Sequence, residues 1–107
     1  MRKLAFLLAI PLLLGTAATA DAATGTVHLI GGSHADLKNP TTGQCVQLAP
    51  PYPGPRGIDN HTNSTVTIYL NSTCTSDDTA RLVPPGKSYE VSSTWYPIIS
   101  IVTLKVG

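Results

Sequence analysis

Charge is scarce in this chain and of neither sign in excess. Seven Lys and Arg stand against six Asp and Glu, for a formal net charge of +1. No basic run or cluster is present, so the electrostatic footprint that nucleic-acid binding requires is missing, as is a polybasic membrane patch. Aromatics make up only 6% of the residues, and beyond residue 23 they are reduced to Tyr52, Tyr69, Tyr89, Tyr96 and Trp95. Cysteine occurs twice, as Cys45 and Cys74, far apart and outside any C-x-x-C arrangement. That spacing disfavours a dithiol redox site, and no further ligands stand near enough for a two-cysteine metal site. After residue 23 there is no helix-period stretch of useful length, and no apolar run long enough to cross a bilayer, which takes roughly 20 residues.

The first residues do carry such a tendency, but in a shorter form. Arg2 and Lys3 precede an apolar run over residues 4–14 that Pro11 interrupts, and a small-residue tract follows over 15–23. This is the layout of a secretory signal peptide. Ala18-Thr19-Ala20 and Ala20-Asp21-Ala22 both satisfy the small-x-small rule, so cleavage is expected after Ala20 or Ala22. No cysteine stands at the junction for lipid attachment, and no arginine pair precedes the apolar run. The division predicted is a signal peptide over 1–22 and a single secreted β-domain over 23–107, with no membrane span in the mature part.

Export changes how the cysteines are read. A mature chain of roughly 85 residues buries only about 60% of its unfolded surface, and such domains usually carry a covalent staple. In an oxidising compartment an even pair reads as a disulfide. A Cys45–Cys74 bridge is therefore expected, worth about 3–4 kcal/mol by the chain-entropy estimate.

Thr, Val, Ile, Gly and Pro dominate the mature part, in short alternating runs separated by turn signals. Strands are predicted over 26–30, 44–48, 65–70, 80–83, 88–92 and 98–106. In the third, Val66, Ile68 and Leu70 share one face. In the last, Val102, Leu104 and Val106 alternate with Ile101, Thr103 and Lys105, and Ile98-Ile99 fills both faces at its start. The segment over 50–55 is read as a stiff extended loop, since its prolines cannot donate to a ladder. The predicted fold class is all-β, a small antiparallel sandwich.

The segment from Val66 onward resembles a Greek-key half of the βγ-crystallin type. Tyr69 is followed by Cys74 and Ser76, then Pro85-Gly86, then Ser100-Ile101-Val102 or the nearby Leu104-Lys105-Val106. The family places a glycine in the turn where Ser76 stands here. Gly43-Gln44-Cys45 is similar to an earlier Gly-x-Cys strand of small secreted actinobacterial proteins of this sort. The resemblance implies Greek-key connectivity. It leaves function open, because known members include calcium binders, a metalloprotease inhibitor and antimicrobial or killer-toxin-like proteins.

Candidate sites follow from the residues. Asp59-Asn60-His61-Thr62-Asn63-Ser64 approaches the family's calcium motif but has Asn63 at its fifth place. Calcium prefers six to eight oxygen ligands with several carboxylates, so no metal site is expected. His28, His34 and Asp36 are the conceivable set for a small metal-dependent hydrolase, although adjacent residues align poorly in a relay. Without a fixed geometry they read as a polar turn, and neither a catalytic residue nor a cofactor is assigned. Tyr52 on the proline-rich loop, and Trp95 and Tyr96 before Pro97, are the candidate binding residues, because Trp and Tyr are favoured interface anchors. The alternative reading of Trp95 is a cap on one end of the core. Three N-x-S/T sequons begin at Asn60, Asn63 and Asn71 and would be glycan acceptors in a eukaryotic secretory pathway. The function expected is a secreted, non-enzymatic, monomeric domain that binds an extracellular protein or surface. An inhibitor or antimicrobial-like role is one form of this. A small hydrolase, or a structural envelope-associated protein, is the alternative.

Overall fold

A computed structural model describes residues 21–107; the signal peptide expected over 1–22 lies, up to Ala20, outside the described residues. Eight strands follow in chain order: β1 (Gly25–Ile30), β2 (Leu37–Lys38), β3 (Cys45–Gln47), β4 (Gly57–Thr62), β5 (Val66–Tyr69), β6 (Arg81–Val83), β7 (Ser88–Glu90) and β8 (Thr103–Val106). They form two antiparallel four-stranded sheets, ordered β2-β1-β4-β7 and β3-β8-β5-β6. No helix occurs among the described residues.

The alternation of side chains decides which face of each sheet is apolar. Val27 and Leu29 of β1 point inward while His28 points out. Ile58 of β4 joins them, and from the second sheet come Val66, Ile68, Val83, Leu104 and Val106. These residues make one continuous core, so the two sheets are stacked as a sandwich. In β8 the alternation is overridden at one point. Thr103 lies on the opposite face from Leu104 and is also fully buried, because its hydroxyl donates to the carbonyl of Asn71 at 2.8 Å.

Two expectations are corrected. No strand is expected over residues 57–62, which the sequence offers only as part of a near-miss calcium motif, yet Gly57–Thr62 is an interior strand, paired with β1 along its whole length from Gly25↔Thr62 to Ile30↔Gly57. Its inward row, Ile58-x-Asn60-x-Thr62, looks polar because two of the three inward side chains satisfy each other by hydrogen bonds. The last strand is also shorter than expected, beginning at Thr103 rather than near Ile98. Upstream, backbone groups are engaged in turns and loops: Ile99 donates to the Trp95 carbonyl at 2.9 Å and Ile101 to the Pro55 carbonyl at 2.9 Å. The short strand β2 was not anticipated at all.

Candidate functional site

The strand registers send four connections to the same pole of the sandwich. Ile30 faces Gly57, and Gly57 faces Glu90, so β1 ends, β4 begins and β7 ends at one height. Gln47 and Tyr69 both face Thr103, which sets the ends of β3 and β5 at the start of β8. The segments over 31–36, 48–56, 70–80 and 91–102 therefore gather there. The opposite pole carries tighter turns, including the one around Gly86.

Two of the gathered segments are stitched into one unit. Prolines at 50, 51, 53 and 55 have no N–H to give a ladder, and residues 50–53 form a bend rather than a straight extended run. What holds this bend is the 91–102 segment. Gly54 donates its N–H to Ser100 Oγ at 2.8 Å. Leu48 and Ala49 both donate to the Val102 carbonyl, at 2.8 and 3.2 Å. Tyr96 donates its hydroxyl to the Gly54 carbonyl at 3.2 Å. The approach is so close that a Cβ on Gly54 would lie 2.0 Å from the Ile101 carbonyl oxygen, so a side chain there would force one of the two loops to move.

On this braced base stand large apolar side chains that reach solvent. Ile98 is 84% exposed, Tyr52 66% and Trp95 55%. Between Tyr52 and the 97–100 stretch lies an open hollow of about 460 Å³, lined also by Leu70 and Val102. A second hollow of about 430 Å³ lies against Tyr52, lined by Gly32, Ser33, Pro51 and Pro53. No charged side chain lines either one.

The three aromatic candidates thus share a pole but differ in situation. Tyr52 and Trp95 are exposed, and Trp95 is not part of the buried cluster, so it does not cap the core. Tyr96 is half-buried, packs against the core and spends its hydroxyl on the loop–loop contact. Ile98 and Leu70 were missed. Ile98 was placed inside a strand on the strength of Ile98-Ile99-x-Ile101-Val102, and only the preceding Ser92-Ser93-Thr94 and Pro97 hinted at a turn.

Cys45 and Cys74 form a disulfide with a Cα–Cα separation of 5.8 Å. It ties edge strand β3 to the 70–80 segment, with Cys74 Sγ packed against the Leu104 carbonyl. Gln47 Nε2 donates to the Ser72 carbonyl at 2.8 Å and doubles the tie. The segment that carries Leu70 to the pole is thereby fixed at its far side.

The polar candidates fall elsewhere and do not converge. His28 and Asp36 make an exposed pair, Nδ1 to Oδ2 at 2.9 Å, and Asp36 Oδ1 also accepts the Leu29 N–H at 2.9 Å. The hydrogen bond and charge of Asp36 raise the His28 pKa above its ordinary value, and the same bond with the Leu29 N–H lowers that of Asp36. His34 takes no part and engages the Ala35 carbonyl at 2.7 Å. Asp59 accepts a hydrogen bond from Ser88, so it is committed to the sheet surface. Among the described residues no three His, Cys, Asp or Glu side chains stand close enough to share a metal ion.

The sequons separate sharply. Asn60 is fully buried, and its Nδ2 donates to the carbonyls of Ser64 and Val83, each at 2.8 Å. Asn71 gives its Nδ2 to the Thr75 carbonyl at 2.8 Å. Asn63 is exposed and uses only its Oδ1, accepting from the Thr24 N–H at 2.9 Å. Of the three, Asn63 alone presents an amide nitrogen to solvent without a hydrogen-bond partner among the described residues.

A scan against protein-family models, a search of curated proteins and a search of solved structures each returned no match to this chain.

Proposed function

We infer that this chain is an exported β-domain that acts by binding an extracellular partner through the Tyr52–Ile98 pole, without catalysis. The observation that carries the reading is the exposure of Tyr52, Trp95 and Ile98 on two connections that hydrogen bonds brace against each other. Ordering a flexible loop on binding costs free energy, and a pre-braced loop avoids much of that cost. Large exposed apolar side chains gathered at one place also mark interaction sites more often than scattered ones do. Export over a signal peptide at 1–22 is supported by the apolar run over 4–14 and by the Cys45–Cys74 disulfide, which suits an oxidising compartment. The two antiparallel sheets are compatible with Greek-key connectivity of the βγ-crystallin type, and that kinship is part of the proposal. An inhibitory or antimicrobial-like role would be one outcome of such binding.

The test is capture from the extracellular medium with the immobilised mature chain, compared with Tyr52→Ala and Trp95→Ala. The reading expects a specific partner whose retention falls at least about tenfold in one of the variants, the loss that an anchor residue typically causes. A partner held equally well by both variants would place the binding surface elsewhere. The hydrolase alternative requires His28, His34 and Asp36 to act together, and the separate engagement of His34 with Ala35 speaks against it.

A further inference from the structure

We propose that the export signal is removed at the Ala20–Asp21 bond, so that the mature chain begins at Asp21 and not at Ala23. This rests on the export reading above and fixes where the leader ends. The step is a hydrolysis by a signal peptidase. The peptide bond between Ala20 and Asp21 breaks, water gives its hydroxyl to the Ala20 carbonyl carbon, and its hydrogen goes to the Asp21 nitrogen. For the peptidase the two small-x-small sites, Ala18-Thr19-Ala20 and Ala20-Asp21-Ala22, are equivalent. They differ in what they leave to the fold.

Residues 21–23 belong to the sandwich. Ala22 pairs with Thr41 in an antiparallel bridge. The Asp21 carbonyl accepts from the Thr42 N–H at 2.9 Å and from the Thr42 hydroxyl at 3.2 Å. Thr42 sits in the crossover between the sheets, where the Asn39 N–H donates to the Gly25 carbonyl at 2.7 Å and the Gly43 N–H to the Val106 carbonyl at 2.8 Å. Cleavage after Ala22 would take away the acceptor of this half-buried threonine. It would also turn the Ala23 nitrogen into an α-ammonium, charged at neutral pH. Ala23 is only 2% exposed and belongs to the core cluster. Its nitrogen has one acceptor among the described residues, the Pro40 carbonyl at 2.9 Å. A charge there would lose water without a counter-charge, which is costly. Asp21 and Ala22 are exposed, so an ammonium on Asp21 stays hydrated. The junction lies at the Gly25–Thr62 end of β1 and β4, opposite the Tyr52–Ile98 pole. Removing the leader there leaves the proposed binding surface untouched.

The experiment expresses the full chain of 107 residues in a secreting host and reads the exported product by intact mass and N-terminal sequencing. The product is expected to begin at Asp21. Ala18→Gln should remove that product, because it spoils only the first small-x-small site, and Ala22→Gln should leave it intact. A product beginning at Ala23, or loss of processing in Ala22→Gln, would overturn the proposal and leave export standing. A product that keeps Met1, or no product outside the cytoplasm, would overturn both. The physical reason is tested separately on oxidised chains made to begin at Asp21 and at Ala23. The shorter one should melt roughly 4–8 °C lower. Its deficit should grow as pH falls from about 9 to 7 and the terminal amine takes up its proton. Equal melting points across that range would overturn the proposal, because the fold would then have no use for Asp21 and Ala22.

Discussion

Replacing Asn60 with alanine should cost this domain a large share of its stability. Asn60 is fully buried on the inward face of β4. Its Nδ2 reaches the Ser64 and Val83 carbonyls, each at 2.8 Å, and its Oδ1 accepts from the Thr62 N–H at 3.0 Å and the Thr62 hydroxyl at 2.7 Å. Two of these contacts are partly replaceable, because the Thr62 hydroxyl also donates to the Ser64 carbonyl at 3.0 Å. The contacts to the Val83 carbonyl and the Thr62 N–H are made by no other side chain. Leaving two buried polar groups short of a partner costs about 1–3 kcal/mol each, so a total of about 2–6 kcal/mol is expected before any cavity term. A domain of this size has roughly 4–13 kcal/mol in all. The backbone bonds of residue 60, to the Lys87 carbonyl and from the Gly86 N–H, survive the substitution and keep the loss local.

The assay is guanidinium unfolding followed by far-UV circular dichroism, with the disulfide intact. With a slope of about 2 kcal/mol/M, the midpoint should fall by roughly 1–3 M. Asn63→Ala is the control. It also removes a sequon asparagine, but one that is exposed and accepts a single bond from Thr24, so its shift should stay below about 0.5 M. A shift of less than about 0.3 M for Asn60→Ala, or equal shifts for the two variants, would refute the claim that this side chain holds the β4–β5 turn to β6.

Gly54→Ala should destabilise by about 1–3 kcal/mol, since its Cβ would lie 2.0 Å from the Ile101 carbonyl oxygen and one loop must move; thermal denaturation and the amide shifts of residues 98–102 would report both effects, and an unchanged melting point would count against the brace. The Cys45→Ser/Cys74→Ser double variant should lose about 3–4 kcal/mol from a bridge with a sequence separation of 29, with intact mass before and after reduction checking that the wild-type bond is present. His28 should titrate above its ordinary value of 6.5 by NMR, and Asp36→Asn should return it toward that value. Because the folded pKa of His28 is raised, its charge-dependent contribution is complete below 6.5 and is lost as pH rises through the folded value; because that of Asp36 is lowered, its contribution is complete above 3.8 and is lost as pH falls through its folded value. The pair therefore supports the fold most between those limits, and a flat stability profile across both would dissolve it.

What the sequence disclosed follows a physical line between local and distant causes. Strands β1, β5 and β6 were legible because alternation and turn residues are local signals. The Cys45–Cys74 bridge was legible because only one pairing exists. β4 was not, since the polarity of Asn60 and Thr62 reads as loop until the carbonyls of Ser64 and Val83 are seen to satisfy them. The end of the chain failed in the opposite sense. Ile98 through Ile101 has a strand's composition, but its backbone donates to the Trp95 and Pro55 carbonyls, through Ile99 and Ile101, in place of a ladder. Tertiary context overrode β-propensity at that point.

The same failure locates the candidate site. A sequence rich in Ile and Val that is kept out of the sheets must place those side chains somewhere, and Ile99 and Ile101 pack inward while Ile98 cannot. Ser100 is held between them by the Gly54 N–H, so the segment is fixed in a register that leaves Ile98 in water. If burying apolar surface were the only demand, a polar residue at 98 would serve the fold better, because an isoleucine exposed by 84% contributes nothing to the core. Ile98→Ser should accordingly leave stability within about 0.5 kcal/mol of the parent while changing what the pole recognises. A loss well beyond that would mean Ile98 belongs to the fold and not to the surface. The discriminating variant is thus the one whose sequence context argued most strongly for a strand.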